Sequence, residues 1–288
     1  MYKSKRFFYD YDDFYDSEED KDASTLIAEI MADAEFPQLE EIIIGSWGDP
    51  WEESAQPIID GIVENKDKFS HVKSLFIGDM DFEDCEVSWI IQGNYSALWA
   101  AMPQLEKLTI KGSTDLVLGT IEHDNLKEFT IICGGLPTNV IEAVQNAKLP
   151  ALDKLLLYIG SDGYGFDGDV THIQKLLDQS DFPKLTYLGV ADSEIQDEVA
   201  EAVVQCKYMN QIETLDLSLG TLTDKGGQVL LDQIGNYPNI KMLDLHRHYL
   251  SSGMMKKFEE LPIEVDLDEQ EEADEYDGEV YYYAALTE

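Results

Sequence analysis

Side chains able to do chemistry are few and scattered in this 288-residue chain. His246 and His248 stand two apart, a spacing that on a strand turns both to one side and would suit a metal pair. No third ligand stands beside them, so no metal is expected. The loop Ser161–Asp169, SDGYGFDGD, mixes acids and glycines as calcium loops do, but it lacks the Asp-x-Asp-x-Asp-Gly register of an EF-hand. The same loop holds GYGFDG, a GxGxxG by letter, between an expected strand and a helix expected from Val170. A pyrophosphate at that helix N-terminus would meet Asp162, Asp167 and Asp169, which repel it. Cys85, Cys133 and Cys206 are odd in number, far apart and without a CxxC pair, which argues against a disulfide framework or zinc site and fits a reducing compartment. GxSxG, HExxH and Walker arrangements are absent. The expectation is a protein without catalysis or cofactor.

Charge narrows the partners. The formal net charge is −39, of which −4 lies in residues 1–23 and −11 in residues 262–288, leaving −24 between them. Such a surface repels nucleic-acid phosphates and anionic lipids and attracts basic proteins, at rates that fall with salt. No stretch approaches the roughly 20 apolar residues of a membrane span, and the N-terminus MYKSKRFFYD has no apolar run of signal-peptide length. The cytoplasm is the expected location.

These residues are carried by a repeat. An apolar residue followed by two more, three and five positions on, recurs as Leu39-Ile42-Ile44, Val72-Leu75-Ile77, Leu105-Leu108-Ile110, Leu126-Phe129-Ile131, Leu152-Leu155-Leu157, Leu185-Leu188-Val190, Ile212-Leu215-Leu217 and Ile240-Leu243-Leu245. The starts lie 33, 33, 21, 26, 33, 27 and 28 residues apart, and a degenerate ninth copy follows at Val265-Leu267. Positions four and six of each unit point inward from a short strand, and three, five and seven face outward on a concave side. One unit cannot bury its apolar edge, but a stack of them can. An apolar residue ten positions after several starts (Phe82, Leu136, Ile195, Leu222, Leu250) is expected to close the turn onto the core. Helical patterns follow the turns at Ser54–Val63, Ser88–Met102 with a break near Gly93, Val140–Ala147, Asp197–Cys206, Thr223–Ile234 and Ser252–Leu261. The fold class is therefore α/β, a solenoid with a curved parallel sheet on the concave side and helices on the convex side.

The stretch IETLDLSLGTLTDKGGQVLLDQIGNYPNIKMLDLHRHYLSSG, beginning at Ile212, resembles the ribonuclease-inhibitor class of leucine-rich repeats, and the resemblance extends over about residues 36–267. It implies a protein-binding scaffold. The ninth unit position departs from the family, holding Trp47, Met80, Ser113, Gly134, Gly160, Ser193, Gly220 and His248 in place of the usual Asn or Cys. Backbone and insertion contacts are then expected to hold the bend. The segments EVSWIIQGNYSALW from Glu86, GSDGYGFDGD from Gly160, LDLHRHYLS from Leu243 and EVDLDEQ from Glu264 also resemble a group of bacterial cytosolic leucine-rich-repeat proteins with no assigned activity.

Three parts follow: an acidic, aromatic and flexible N-terminal tail at 1–22, the solenoid at 23–267 with a capping helix over Ala23–Ala34, and an acidic tail at 268–288 with a possible capping strand from Val280. On the concave face, position five reads Ile43, Phe76, Thr109, Thr130, Leu156, Gly189, Asp216, Asp244 and Asp266. Asp216, Asp244 and Asp266 should form an acidic ladder with His246 beside it; Phe76, Leu156 and Tyr158 suit either an apolar binding patch or a surface covered by the insertion loops. The expected function is a non-catalytic scaffold that binds a basic protein there. Two alternatives stand beside it: an inhibitor or immunity-type factor neutralising a basic enzyme, and a regulatory subunit of an enzyme complex.

Overall fold

The computed structural model describes residues 2–9 and 21–287. Each repeat start becomes a strand, in the expected order: β2 (Glu41–Ile44), β3 (Ser74–Ile77), β4 (Lys107–Lys111), β5 (Glu128–Ile132), β6 (Lys154–Gly160), β7 (Tyr187–Ser193), β8 (Thr214–Asp216), β9 (Met242–Asp244) and the degenerate β10 (Glu264–Asp266). Together with β1 (Ser4–Phe7) they form one parallel sheet in sequential order. Register follows the unit position: Ile42 pairs Leu75, Leu75 pairs Leu108, and the match runs on through Phe129, Leu155, Leu188, Leu215 and Leu243 to Val265. Positions four and six of all eight full units are buried, because a one-residue slip would turn every one of them to the open face.

Helices α1 (Ala23–Ala32), α2 (Gln56–Glu64), α3 (Leu98–Ala101), α4 (Thr138–Gln145), α5 (Val170–Gln179), α6 (Gln196–Val203), α7 (Asp224–Ile234) and α8 (Ser252–Glu259) cover the other face, with α1 to α3 packed in succession and α4 to α8 packed in succession. The helix expected over Ser88–Met102 is mostly absent. A 3-10 turn at Val87–Trp89 leads into an extended run whose Ile91 and Asn94 bridge to Thr114 and Val117, and only α3 is helical. The neighbouring 21-residue unit is too short to hold a helix between strands. Its extended backbone offers hydrogen bonds that Gln92 and Tyr95 take, donating to Thr114 and Val117 carbonyls at 2.8 Å.

The position-nine ladder is replaced as the sequence requires. The Gln92 side chain donates to the Lys111 carbonyl, Gln196 at the start of α6 to Val190, and Ser113 to Gly135, all from segments that follow the strands. Leu136, Leu222 and Leu250 are fully buried in the turns, but Phe82 is 68% exposed. In that unit Met80, Cys85, Val87 and Ile90 fill the core below the turn, so no room remains for the ring.

Both ends depart from expectation. Within the expected tail, β1 adds a tenth strand to the sheet edge, and Tyr9 is buried. Its bases meet acids on either side, Lys5 with Asp33 at 2.7 Å and Arg6 with Asp79 at 2.7 Å, which is why a basic strand seals an acidic solenoid. The remainder of the expected tail, residues 10–20, lies outside the described residues. At the other end β11 (Asp274–Tyr276) and β12 (Glu279–Tyr281) form a separate antiparallel hairpin instead of a capping strand. Its turn is Asp277-Gly278, both with positive φ, the two-residue hairpin turn that suits strand twist. Among the described residues no helix is long and apolar enough to cross a membrane.

Candidate functional site

Asp216, Asp244 and Asp266 close strands β8, β9 and β10 and are direct register partners, as their common unit position requires. Each carboxylate folds back onto the backbone N–H two residues on, at Ser218 (3.1 Å), His246 (3.2 Å) and Asp268 (3.0 Å). An acceptor at the last strand residue takes up an N–H as the chain turns away, so the row serves the local fold as well as the surface. Neighbouring strands lie roughly 4.8 Å apart, so the backbones of successive aspartates are about that far from one another.

The three members differ. Asp216 is only 4% exposed, with one oxygen accepting the Ser218 hydroxyl at 2.6 Å and the other the Tyr187 hydroxyl at 2.5 Å. It therefore contributes charge to the row and leaves contact to its neighbours. Asp244 and Asp266 are half-buried. Asp244 is held above the usual carboxylate range by burial and then by the charge of Asp216, against the hydrogen bond from His246. Burial works against protonation of His246, but the Asp244 hydrogen bond and the charges of Asp244, Asp216 and Asp266 prevail and raise its pKa. Its Nδ1 lies 2.6 Å from Asp244. The hydroxyls of Tyr187 and Tyr158 are both pushed up, Tyr158 to about 12, by burial first and by these carboxylates second.

One ligand atom each from Asp244, His246 and Asp266 falls within 4.8 Å of the others, the donor set nearest to a metal site among the described residues. His246 already commits a ring nitrogen to Asp244, and a hard cation wants more oxygens than two side chains give. His248 does not join them: it is fully buried in the turn, its Nδ1 accepting from Leu250 N–H and its Nε2 against the Leu267 carbonyl. Two of the three acids of the Ser161–Asp169 loop are likewise occupied structurally. Asp169 caps α5 through Thr171, and Asp167 accepts the Thr138 N–H at the start of α4.

Phe76, Leu156 and Tyr158 lie on the same face, at positions five and seven of their units. All three are half-buried, and Thr109 and Thr130 stand between Phe76 and Leu156 in the same row. Leu156 lies over Gly189, where an added Cβ would come within 2.3 Å of it, so this position is glycine to let the leucine fold down. The large apolar side chains that are exposed sit elsewhere, among them Trp51, Phe82, Trp89 and Tyr282.

Sequence reading missed Asp192. It is fully buried at position eight of its unit, where the chain leaves the strand through a left-handed residue, as it also does at Leu219, Arg247 and Glu269. The C-terminal tail runs along this row of turns. Ala285 donates to the Leu219 carbonyl, Arg247 donates to the Tyr283 carbonyl, and Leu286 N–H donates to Asp192 at 2.8 Å. The second Asp192 oxygen is buried without a hydrogen-bond partner, and burial pushes the group up to about 8.

A crystallised protein from Bacteroides fragilis superposes on this chain with a TM-score of 0.87 at 39% sequence identity, over 94% of this chain and 75% of that one. The chain belongs to the same family as that protein. An internalin from Listeria monocytogenes also matches, over 80% of this chain and 54% of that one, but at a TM-score of 0.35 and 13% identity it is too remote to carry an argument. No protein-family model and no curated protein matches the sequence.

Proposed function

We propose that the chain is a non-catalytic scaffold, a leucine-rich-repeat array close to the ribonuclease-inhibitor class, that holds a basic partner protein on the open face at the β8–β10 end. The observation that carries this reading is the register-matched carboxylate row. Asp244 and Asp266 are available for contact, Asp216 adds a buried charge behind them, and no described Lys or Arg pairs with any of the three. At about 5 Å two carboxylates repel by about 0.8 kcal/mol in water and about 3 kcal/mol at an effective dielectric near 20. An arriving Lys or Arg relieves that repulsion. Cytoplasmic residence agrees with three buried free cysteines. Tyr158 and Leu156 flank the row on β6 and supply apolar contact to the same partner; Phe76 lies farther along the face.

The test is a photo-crosslinking residue placed at position 266, and separately on the outer face of α7, followed by mass spectrometry of the adducts from cell extract. The expected result is one stoichiometric basic protein captured only from position 266. Its yield should fall between about 50 and 200 mM salt, as the Debye length shortens from roughly 14 to 7 Å, and should be lost with Asp244→Asn and Asp266→Asn together. Equal capture from the helix face, or capture indifferent to salt, overturns the reading. A captured enzyme that loses activity on binding would favour the inhibitor alternative.

A further inference from the structure

The two 33-residue units that begin the array carry more chain than a repeat needs, and the surplus builds a groove. After β2 the turn carries Trp51, and after β3 the segment running to Val87–Trp89 carries Phe82, Cys85, Glu86 and Trp89. These five residues line one cavity of about 320 Å³. Three of them are large rings left open to solvent: Phe82 at 68%, Trp89 at 59% and Trp51 at 37% exposed. Met80, Val87 and Ile90 already fill the interior beneath, so the three rings are not needed to complete the core.

The groove is held in shape by backbone bonds between its two walls. Ile91 N–H donates to the Pro50 carbonyl at 2.9 Å and Ala55 N–H donates to the Ile91 carbonyl at 3.0 Å; from the next unit the Thr114 hydroxyl donates to the Ser88 carbonyl at 2.8 Å. The buried Trp47 indole donates to the Glu53 carbonyl, which fixes the far end of the Trp51 turn. Rings presented on walls tied this way lose little freedom when something stacks on them.

The chemistry of the rim says what that would be. Glu86 lines the groove and has no ion-pair partner among the described residues, whereas Asp79 and Asp84 nearby are engaged by Arg6. An apolar occupant would strip water from Glu86 and return no hydrogen bond. A cation over the indole faces gains from the ring quadrupole and from the Glu86 carboxylate together. A planar guanidinium does so best, because it stacks on a ring while its N–H groups reach a carboxylate in the same plane.

We propose that Trp51, Phe82, Trp89 and Glu86 form a binding groove for an arginine side chain in a basic segment of a partner protein. It lies six strands from Asp244, roughly 30 Å along the sheet, and shares with the function proposed above only the premise of a basic partner.

Indole N–H signals in a proton–nitrogen correlation spectrum test it directly, since the chain has four tryptophans and two of them, Trp47 and Trp99, are buried reporters of the fold. The full chain is titrated with acetyl-Gly-Arg-Gly-Arg-Gly-amide and with the same peptide carrying citrulline for arginine. The arginine peptide should move the Trp51 and Trp89 signals saturably while Trp47 and Trp99 stay in place, and the citrulline peptide should not. Trp89→Ala with Glu86→Gln should weaken binding by about tenfold or more, read from Trp51, with the buried signals unchanged. Asp244→Asn with Asp266→Asn should leave the groove shifts intact, which separates this site from the carboxylate row. Equal shifts with citrulline, unmoved Trp51 and Trp89 signals, or equal shifts with tetramethylammonium at the same concentration would each overturn the assignment.

Discussion

Asp192 sets the steepest pH dependence that the structure implies. Its carboxyl is fully buried, one oxygen accepts the Leu286 N–H, and the other has no partner. Burial moves its pKa from 3.8 up to about 8. Between these values the folded chain holds a proton at this site that the unfolded chain has released. Raising the pH therefore pulls toward the unfolded state, by up to about 1.36 kcal/mol per pH unit. Over the two units from pH 5 to pH 7 that amounts to at most about 2.7 kcal/mol. Asp192→Asn keeps an acceptor for Leu286 and cannot ionise, so it removes this slope and nothing else that titrates. Urea unfolding of both chains at pH 5, 6 and 7 measures it: the variant should gain on the parent steadily as pH rises, by up to that amount. A chain ending at Tyr282 should behave similarly, because without Leu286 water reaches the carboxyl. If the parent and Asp192→Asn curves run parallel across this range, Asp192 is either solvated or ionised at no cost, and the account of the C-terminal tail as its cover is wrong.

Tyr187→Phe removes the hydroxyl that donates to Asp216 and leaves a buried carboxylate oxygen unpaired; a loss of about 1–3 kcal/mol in urea unfolding is expected, and unchanged stability would show that water replaces the donor. His246 has a folded pKa above 6.5, so its contribution to stability is complete below that pH and is lost as pH rises through the folded value. An NMR titration of its ring should give a midpoint above 6.5 in the parent chain that falls in Asp244→Asn, and an unchanged midpoint would rule out Asp244 as the source of the shift.

Much of the architecture was legible because a repeat states its own register. The inward pairs Ile42-Ile44 through Leu243-Leu245 recur with a strand's alternation, and parallel stacking of like positions leaves one way to bury them all. The carboxylate row was readable by the same logic: residues at one unit position on consecutive strands must be neighbours. The C-terminal hairpin also had a local signal, Asp277-Gly278 between β-prone residues, which the surrounding charge obscured.

What the sequence could not disclose depends on contacts between segments far apart in the chain. β1 reads as a charged, aromatic tail until Asp33, Glu35 and Asp79 are placed beside Lys5 and Arg6. Asp216 reads as an exposed acid until Tyr187, from the preceding strand, covers it. Phe82 sits at a core position by count and is expelled because Met80, Cys85, Val87 and Ile90 already occupy the volume. Asp192 is one polar residue among several in a turn, and its burial comes from a segment 94 residues later. Periodicity determines which face of a strand a residue takes. Burial, pairing and pKa depend on which other segments cover that face, and only the tertiary structure decides that.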